Sequence, residues 1–146
     1  MKKGMLTSLN LCFVLFAYNQ NYITRNGNAS FYSHTPLEDI KAENNEAASV
    51  LNAATGDIEF KIAIKSFHFP KAAMEEHFND DDYMGSAKFP KADFKGRIAN
   101  ISSVNFLKDG TYNITTNGNL TIKDVTKPVS AQGTITIKNG VVTAAS

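Results

Sequence analysis

The sequence predicts an all-β protein of antiparallel strands interrupted by one short helix. Three observations lead to this prediction. Residues 57–65 alternate strictly between apolar and polar side chains, which is the period of a half-buried strand. Glycine-containing turn sequences separate further alternating runs in the second half of the chain. Between them, residues 70–84 change to helical spacing.

The first half of the chain is predicted to contain three strands. An early strand covers residues 22–33, with a turn or bulge at residues 26–28, and Pro36 closes it. Residues 38–51 pair as a hairpin with the strand at 57–65 across the turn that precedes Asp57. A helix over 38–51 is an alternative, because that segment is rich in Ala and Asn.

The predicted helix follows Pro70, a residue that suits a first helical turn. Ala73, Met74, His77 and Phe78 recur at helical spacing, and the acidic run 80–82 marks the end. The helix is therefore a single short insertion in a β protein.

The second half is predicted to be a meander of strands joined by tight turns. The expected strands are 92–106, 111–116, 120–125, 129–138 and a last one after Gly140. The expected turns lie at Asp109-Gly110, Asn117-Gly118-Asn119, Lys127-Pro128 and Asn139-Gly140. Strands with one apolar face can be covered either by a second sheet or by closure into a barrel, and periodicity does not choose between them.

The amino-acid composition excludes several classes of function and of site. The chain has 15 Lys and Arg residues and 14 Asp and Glu residues. Because these charges nearly cancel, the protein has no large positive or negative potential that would attract nucleic acid or an anionic membrane. The single cysteine, Cys12, excludes an internal disulfide and clustered-thiolate zinc sites. The length of 146 residues predicts one domain, and a hydrophobic fraction of 42% is enough for its core.

The first residues are predicted to be a signal peptide, residues 1–20, followed by a single domain, residues 21–146. Lys2 and Lys3 precede an apolar run at 9–18 that is too short to span a membrane as a helix. A strand or helix of the mature domain is the alternative. Export predicts a periplasmic or secreted protein without stable insertion in the membrane.

Two blocks of sequence resemble the YceI-like family of secreted lipid-binding proteins. The first runs from Met74 to Ile98 and contains His77-Phe78-Asn79, Lys88-Phe89-Pro90 and Phe94-Lys95-Gly96. The second contains Asp109-Gly110-Thr111-Tyr112, the run 118–122 and the run 125–129. The resemblance implies a lipocalin-like antiparallel barrel around an apolar tunnel for a polyisoprenoid. Asp124 departs from the family, which commonly has Gly there. The chain ends before the family's closing strand region, so the resemblance implies an open edge, with marginal stability, a homodimer through that edge or an incomplete sequence as the alternatives.

The resemblance also implies a ligand site. The inward-facing residues expected to line it are Phe60, Ile62, Ile64, Phe94, Ile98, Tyr112, Ile114, Leu120, Ile122, Ile135 and Ile137, and Met74, Phe78 and Phe89 are expected to cap one mouth. Alternation alone also fits a filled core with no ligand, as in a structural or partner-binding protein.

No catalytic residue, metal ligand or cofactor site is predicted. His34, His68 and His77 lack metal-ligand spacing, and the aspartates 80–82 lack the distal Glu of an EF-hand. Nucleophile-elbow and phosphate-cradling motifs are absent from the sequence. The expected function is passive, non-enzymatic lipid binding, and a lipid-modifying enzyme built on His68 and Tyr112 ranks last.

Overall fold

The computed structural model describes residues 20–146, so the predicted signal peptide lies outside the described residues except for Gln20. This part of the chain contains seven strands and one α-helix. They are β1 (Asn21–His34), β2 (Asp39–Asn52), β3 (Asp57–Ala63), α1 (Ala72–Asn79), β4 (Lys91–Ile98), β5 (Gly110–Ile122), β6 (Val125–Lys138) and β7 (Val141–Ala145).

The strands form one antiparallel sheet whose order follows the chain from β1 to β7. The sheet curls into a nearly closed barrel, with the apolar face inside. This confirms the predicted all-β antiparallel barrel with one short helix. Among residues 20–146, β1 and β7 do not pair with each other and are the two edge strands.

The first two strands keep their apolar residues inside by means of bulges. Strand pairing shifts between Thr24 and Gly27, where β1 has an extra residue, and again between Gly27 and Ala29, where β2 has the extra residue, between Asn44 and Ala47. Each bulge inserts an extra residue and so exchanges the two faces of a strand. Tyr22 before the shifts and Phe31 after them therefore both face the interior, which confirms the predicted irregularity at residues 26–28.

The helical segment is shorter than predicted. Strand β3 ends at Ala63, two residues before the predicted boundary, and a 3-10 turn covers Ile64–Ser66. Helix α1 then ends at Asn79, where Asp80 takes an extended conformation. The carbonyls of the last helical turn are satisfied by the following loop, because Met84 and Ser86 donate their N–H groups to Phe78 and Asn79.

The predicted long strand over 92–106 is wrong, because β4 ends at Ile98. Asn100 ends it through its side chain: Nδ2 donates to the carbonyl of Asn113 at 2.9 Å, and Oδ1 accepts from the N–H of Thr115 at 2.9 Å. A 3-10 turn follows at Ile101–Ser103. The amide thus replaces ladder hydrogen bonds and releases the chain from the sheet.

The predicted turn at Asn117-Gly118-Asn119 is also wrong, because β5 runs through it without interruption. Gly118 lies directly opposite Gly96 on β4. A Cβ on Gly118 would lie 2.4 Å from the carbonyl oxygen of Lys95 and 2.6 Å from the Phe94 ring. Glycine is required at this position because the strands and the ring approach so closely, not because the chain turns.

The hairpin between β5 and β6 turns at Lys123-Asp124, not at the predicted Lys127-Pro128. Both turn residues have positive φ, 50° and 60°, as a two-residue type I′ turn requires. Pro128 instead lies within β6, opposite Asn119. The predicted turn at Asn139-Gly140 is confirmed, again with two positive φ angles.

Candidate functional site

The two ends of the barrel differ in what covers them. One end, which we call the helix end, carries the β1–β2 loop, the segment 64–90 with α1, and the β5–β6 turn. The other, which we call the closed end, carries the β2–β3 turn, the β4–β5 connection at 99–109 and the β6–β7 turn. The alternating direction of the strands dictates this separation.

The closed end is packed with aliphatic side chains. Ile98 and Ile135 are 1% and 0% exposed, and they are the largest apolar side chains of the core with almost no accessible surface. The β4–β5 connection places the buried Val104 against them and stacks Phe106 on Tyr22, with ring centroids 5.4 Å apart. This end of the interior is filled.

The middle of the barrel is less tightly packed. Phe60, Phe94 and Leu120 lie opposite one another on β3, β4 and β5, on the inward face. All three are only partly buried, as is Ile62 one inward position further along β3. Large apolar side chains that point into a filled core are normally buried completely. Part of the surface of these inward-facing side chains is therefore still accessible.

Four phenylalanines form a cluster at the helix end. Phe78 of α1 packs against Phe31, Phe67 and Phe69, with ring centroids 5.0 to 5.8 Å away. Ile64 beneath the 3-10 turn is buried, and Met74 on the helix is half-buried. The cluster fixes α1 across this end of the barrel.

The inward face of the β5–β6 hairpin opens to solvent near its tip. Ile122 is 38% exposed and Val125, directly opposite, is 56% exposed. They continue the apolar face of Leu120 toward the helix end. Beside them lies Phe89, half-buried, at the end of the loop that follows α1. An exposed apolar stripe that leads to incompletely buried apolar side chains on the inward face fits a binding site for an apolar ligand.

Asn44 is a fully buried polar residue within this apolar surrounding, with 0% exposure. Its Nδ2 donates to the carbonyl of Ala63 at 3.0 Å, and its Oδ1 accepts from the N–H of Glu46 at 2.8 Å. Because both polar atoms are satisfied, Asn44 joins β2 to the end of β3. It has a structural role in supporting the site.

Charged groups with altered pKa lie on the outside. A hydrogen bond from Arg97, and a second from Thr55, hold the pKa of Asp57 below its ordinary value. The hydrogen bond between Lys41 and Glu43 lowers the pKa of the carboxyl and raises that of the amine. These groups are at the outer surface, away from the apolar interior.

Two surface depressions also lie outside the barrel. One, of about 490 Å³, is lined by polar residues of the outward faces of β3 to β6, among them Lys61, Asp93 and Lys95. The other, of about 280 Å³, is lined by residues such as Lys41, Glu43 and His68. Neither contains a predicted lining residue, and their charged walls do not suit an apolar ligand.

The structure brings most of the predicted lining residues to the inside of one barrel but divides them between its two ends. Ile98, Ile114, Ile135 and Ile137 belong to the packed core of the closed end, and Tyr112 packs against it with its hydroxyl on the carbonyls of Asn105 and Lys108. Phe60 and Phe94 also pack against this core, from the middle of the barrel. Ile62, Ile64, Leu120 and Ile122 lie nearer the helix end, with Met74, Phe78 and Phe89 at the mouth.

Sequence reasoning missed Phe31, Phe67, Phe69, Tyr22 and Asn44. Phe31 was missed because the bulge changes which positions of β1 face inward. Tyr22 and Phe31 both face inward but do not fit one continuous alternation. Phe67 and Phe69 flank His68, and their spacing from Phe31 and Phe78 becomes informative only once the segment folds over the barrel end. The run of alternating phenylalanines was the available signal.

No helix of residues 20–146 is long and apolar enough to cross a membrane. Within the same residues, no group of three or more His, Cys, Asp or Glu side chains is placed to hold a metal ion.

Fold and site together define a small antiparallel β-barrel with an apolar interior that is packed at one end and accessible at the other. The sequence profile of the YceI-like domain matches residues 16–146, which is most of the chain. The protein therefore belongs to the YceI-like family. No curated protein sequence matches the chain.

The chain is similar to several solved structures. A polyisoprenoid binding domain from Saccharophagus degradans, implicated in plant cell wall breakdown, is 8% identical with a TM-score of 0.68, and the match covers 82% of this chain and 69% of that chain. Burkholderia cenocepacia BcnA is 15% identical with a TM-score of 0.47 over 80% and 60% of the chains. A Campylobacter jejuni YceI protein is 14% identical with a TM-score of 0.44 over 92% and 69%.

Proposed function

We propose that this protein binds an apolar lipid of the isoprenoid type inside the barrel, through the helix end. The observation that carries the proposal is the partial burial of Phe60, Phe94 and Leu120 on the inward face. The stripe continues to the exposed Ile122 and Val125 at the hairpin tip. Unfilled apolar surface of this kind is stabilised when a hydrocarbon replaces water on it.

The strength of binding comes from burial alone in this proposal. Each methylene removed from water contributes about 0.8 kcal/mol, so a chain of several isoprene units needs no polar anchor. The polyisoprenoid binding domain from Saccharophagus degradans, which shares the fold, supports the choice of lipid class.

The function is proposed to be that of a carrier or reservoir, without catalysis. The ionisable groups of the described residues whose pKa is altered lie on the outer surface. The aromatic and aliphatic interior offers the ligand hydrocarbon contacts. A near-neutral net charge of +1 supports neither nucleic acid nor membrane insertion as a partner.

We also propose that the protein acts in the periplasm or is secreted. The two lysines followed by the apolar run at 9–18 support an export signal. Intact mass measurement of the exported protein tests this: loss of about 20 residues is expected. Retention of the full chain in the cytoplasm would contradict it.

Two copies are proposed to associate through the outer edge of β1. The strand is 14 residues long and pairs only with β2 in the described part of the chain. Such an edge favours strand addition. Sedimentation velocity should detect a dimer, and a monomer at all concentrations would contradict this part of the proposal.

The central experiment is lipid extraction followed by uptake. The purified protein is extracted with organic solvent and analysed by mass spectrometry, and the stripped protein is titrated with all-trans-retinol, a fluorescent isoprenoid alcohol. A retained hydrophobe and saturable uptake of retinol are expected. A clean extract together with no uptake would support the alternative of a filled core that serves a structural or partner-binding role.

A further inference from the structure

Lys123, the first residue of the β5–β6 turn, does not favour the turn's geometry. Lys123 and Asp124 have φ angles of 50° and 60°, a region in which Gly, Asn and Asp are preferred and Lys is not. Backbone strain of this kind is a reason to examine what the side chain does. The Lys123 side chain is half-buried, unlike most surface lysines.

Lys123 reaches across to the loop that follows α1. Its Nζ donates to the carbonyl of Tyr83 at 2.6 Å and to the carbonyl of Asp81 at 3.2 Å. The same ammonium group lies 6.0 Å from the centroid of the Phe89 ring, within reach of a cation–π interaction. These contacts join parts of the chain that are about 40 residues apart.

The loop that receives Lys123 is a compact unit. Gly85 donates its N–H to the carbonyl of Asp80 at 2.8 Å, and Phe89 donates its N–H to the carbonyl of Gly85 at 2.9 Å. Residues 80–89 hold one another and are anchored to the hairpin by Lys123, so loss of that anchor loosens these hydrogen bonds together. On the opposite side, the ion pair of Lys71 with Glu38 ties the start of α1 to the β1–β2 loop.

The exposed apolar stripe lies directly beneath the Lys123 contact. Ile122 precedes Lys123, and Val125 faces Ile122 across the hairpin. The Phe89 ring lies 6.0 Å from the Lys123 ammonium group. Separation of the loop from the hairpin would therefore widen access to Ile122 and Val125, and beyond them to Leu120, which faces Lys127 across the hairpin.

We propose that Lys123 is a releasable latch that holds the 80–89 loop against the β5–β6 hairpin and sets the rate at which lipid enters and leaves the barrel. The inference rests on the proposed function. The latch contacts only backbone carbonyls and a ring of the mouth, so it governs passage and not the interior contacts that hold the lipid. Loss of the ammonium group accelerates uptake and release together.

The test compares Lys123→Met with Lys138→Met in the full chain. Both variants lose one positive charge from β5–β6, but Lys138 is exposed and lies at the closed end. Stopped-flow release of retinol should be about tenfold faster in Lys123→Met, the factor given by loss of one charge-assisted hydrogen bond. Lys138→Met should release retinol at the wild-type rate, and the equilibrium affinity should change by less than about threefold in both.

Lys123→Asn provides a second variant that improves the turn while it removes the latch. Faster release without a lower melting temperature is expected. Wild-type release rates in both Lys123 variants would overturn the proposal.

A measurement without lipid separates failure of the latch from failure of the proposed function. Hydrogen exchange of the amides of Gly85 and Phe89 should accelerate in Lys123→Met and not in Lys138→Met. Unchanged exchange would overturn the latch even if retinol binds. If the wild-type protein takes up no retinol, the proposed function fails, and the role in lipid passage fails with it, whatever the exchange rates are.

Discussion

The two ends of the barrel are built from the same alternating strands but differ in how completely their apolar side chains are packed. At the closed end, Ile98 and Ile135 are buried almost completely by a connection that folds over them. At the helix end, aromatic rings of neighbouring elements touch edge to face, and Ile122 keeps 38% of its surface. Aliphatic packing provides stability where nothing needs to move, whereas rings around an accessible interior leave a surface to be covered by a ligand.

The largest expected effect is a difference in unfolding free energy between substitutions at the closed end and at the helix end. Ile135→Ala should lower the free energy of unfolding by about 2–5 kcal/mol, because it leaves a cavity in a packed region. Its affinity for retinol should stay near the wild-type value. Leu120→Ala should cost less than about 2 kcal/mol and weaken retinol binding, because that side chain is only partly buried. Urea denaturation and retinol titration measure both quantities, and the opposite pattern would contradict the division.

The next prediction concerns the space beside Ile62. Ile62→Trp should weaken retinol binding about tenfold or more by displacing at least two methylenes from the interior. Because the ring enters unfilled space, the free energy of unfolding should fall by less than about 1 kcal/mol, whereas overpacking a filled core costs about 1–3 kcal/mol. Ile62→Leu, which conserves volume, is the control. If the Ile62→Trp protein were destabilised and still bound retinol normally, the interior beside Ile62 would be as tightly packed as the closed end, which would contradict the prediction.

A smaller effect is expected at the hairpin tip of the helix end. Asp124→Gly should raise the free energy of unfolding by about 0.5 kcal/mol, because glycine adopts a φ of 60° without a steric penalty. Asp124→Asn should fall between the two. Thermal melting of the three proteins checks the order, and a lower melting temperature for the glycine variant would contradict it.

The smallest expected effect lies on the outer surface near the closed end. Arg97 lowers the pKa of Asp57, so the charged carboxylate stabilises the folded protein above the ordinary carboxyl pKa, and this contribution is lost as the pH falls through the lowered value. Arg97→Gln should move the titration of Asp57, followed by NMR, to higher pH. Lys95→Gln on the same face should leave it unchanged. Retinol binding should not respond to either change.

The sequence was sufficient to predict features that depend on local pattern. The alternation of residues 57–65 predicted β3, and the helical spacing of Met74 and Phe78 predicted α1. The tight turn at Asn139-Gly140 followed from turn chemistry. Closure into a barrel required the family resemblance, because alternation fits a sandwich equally well.

What the sequence could not predict depends on residues distant in the chain. Asn117-Gly118-Asn119 has the same turn chemistry as Asn139-Gly140, yet it continues a strand because Gly96 and the Phe94 ring lie against Gly118. In the same way, Asn100 ends β4 through partners on β5. The candidate site depends on such contacts too, because the bulges that turn Phe31 inward are set by pairing with β2.

Pro128 has a consequence for assembly. The two-residue turn makes Ile122 and Val125 a hydrogen-bonded pair, and the alternation that follows directs the ring nitrogen of Pro128 away from β5. Any strand that pairs with β6 on that side lacks one ladder hydrogen bond at Pro128. The proline thus weakens strand pairing on the flank of the barrel that borders the apolar stripe.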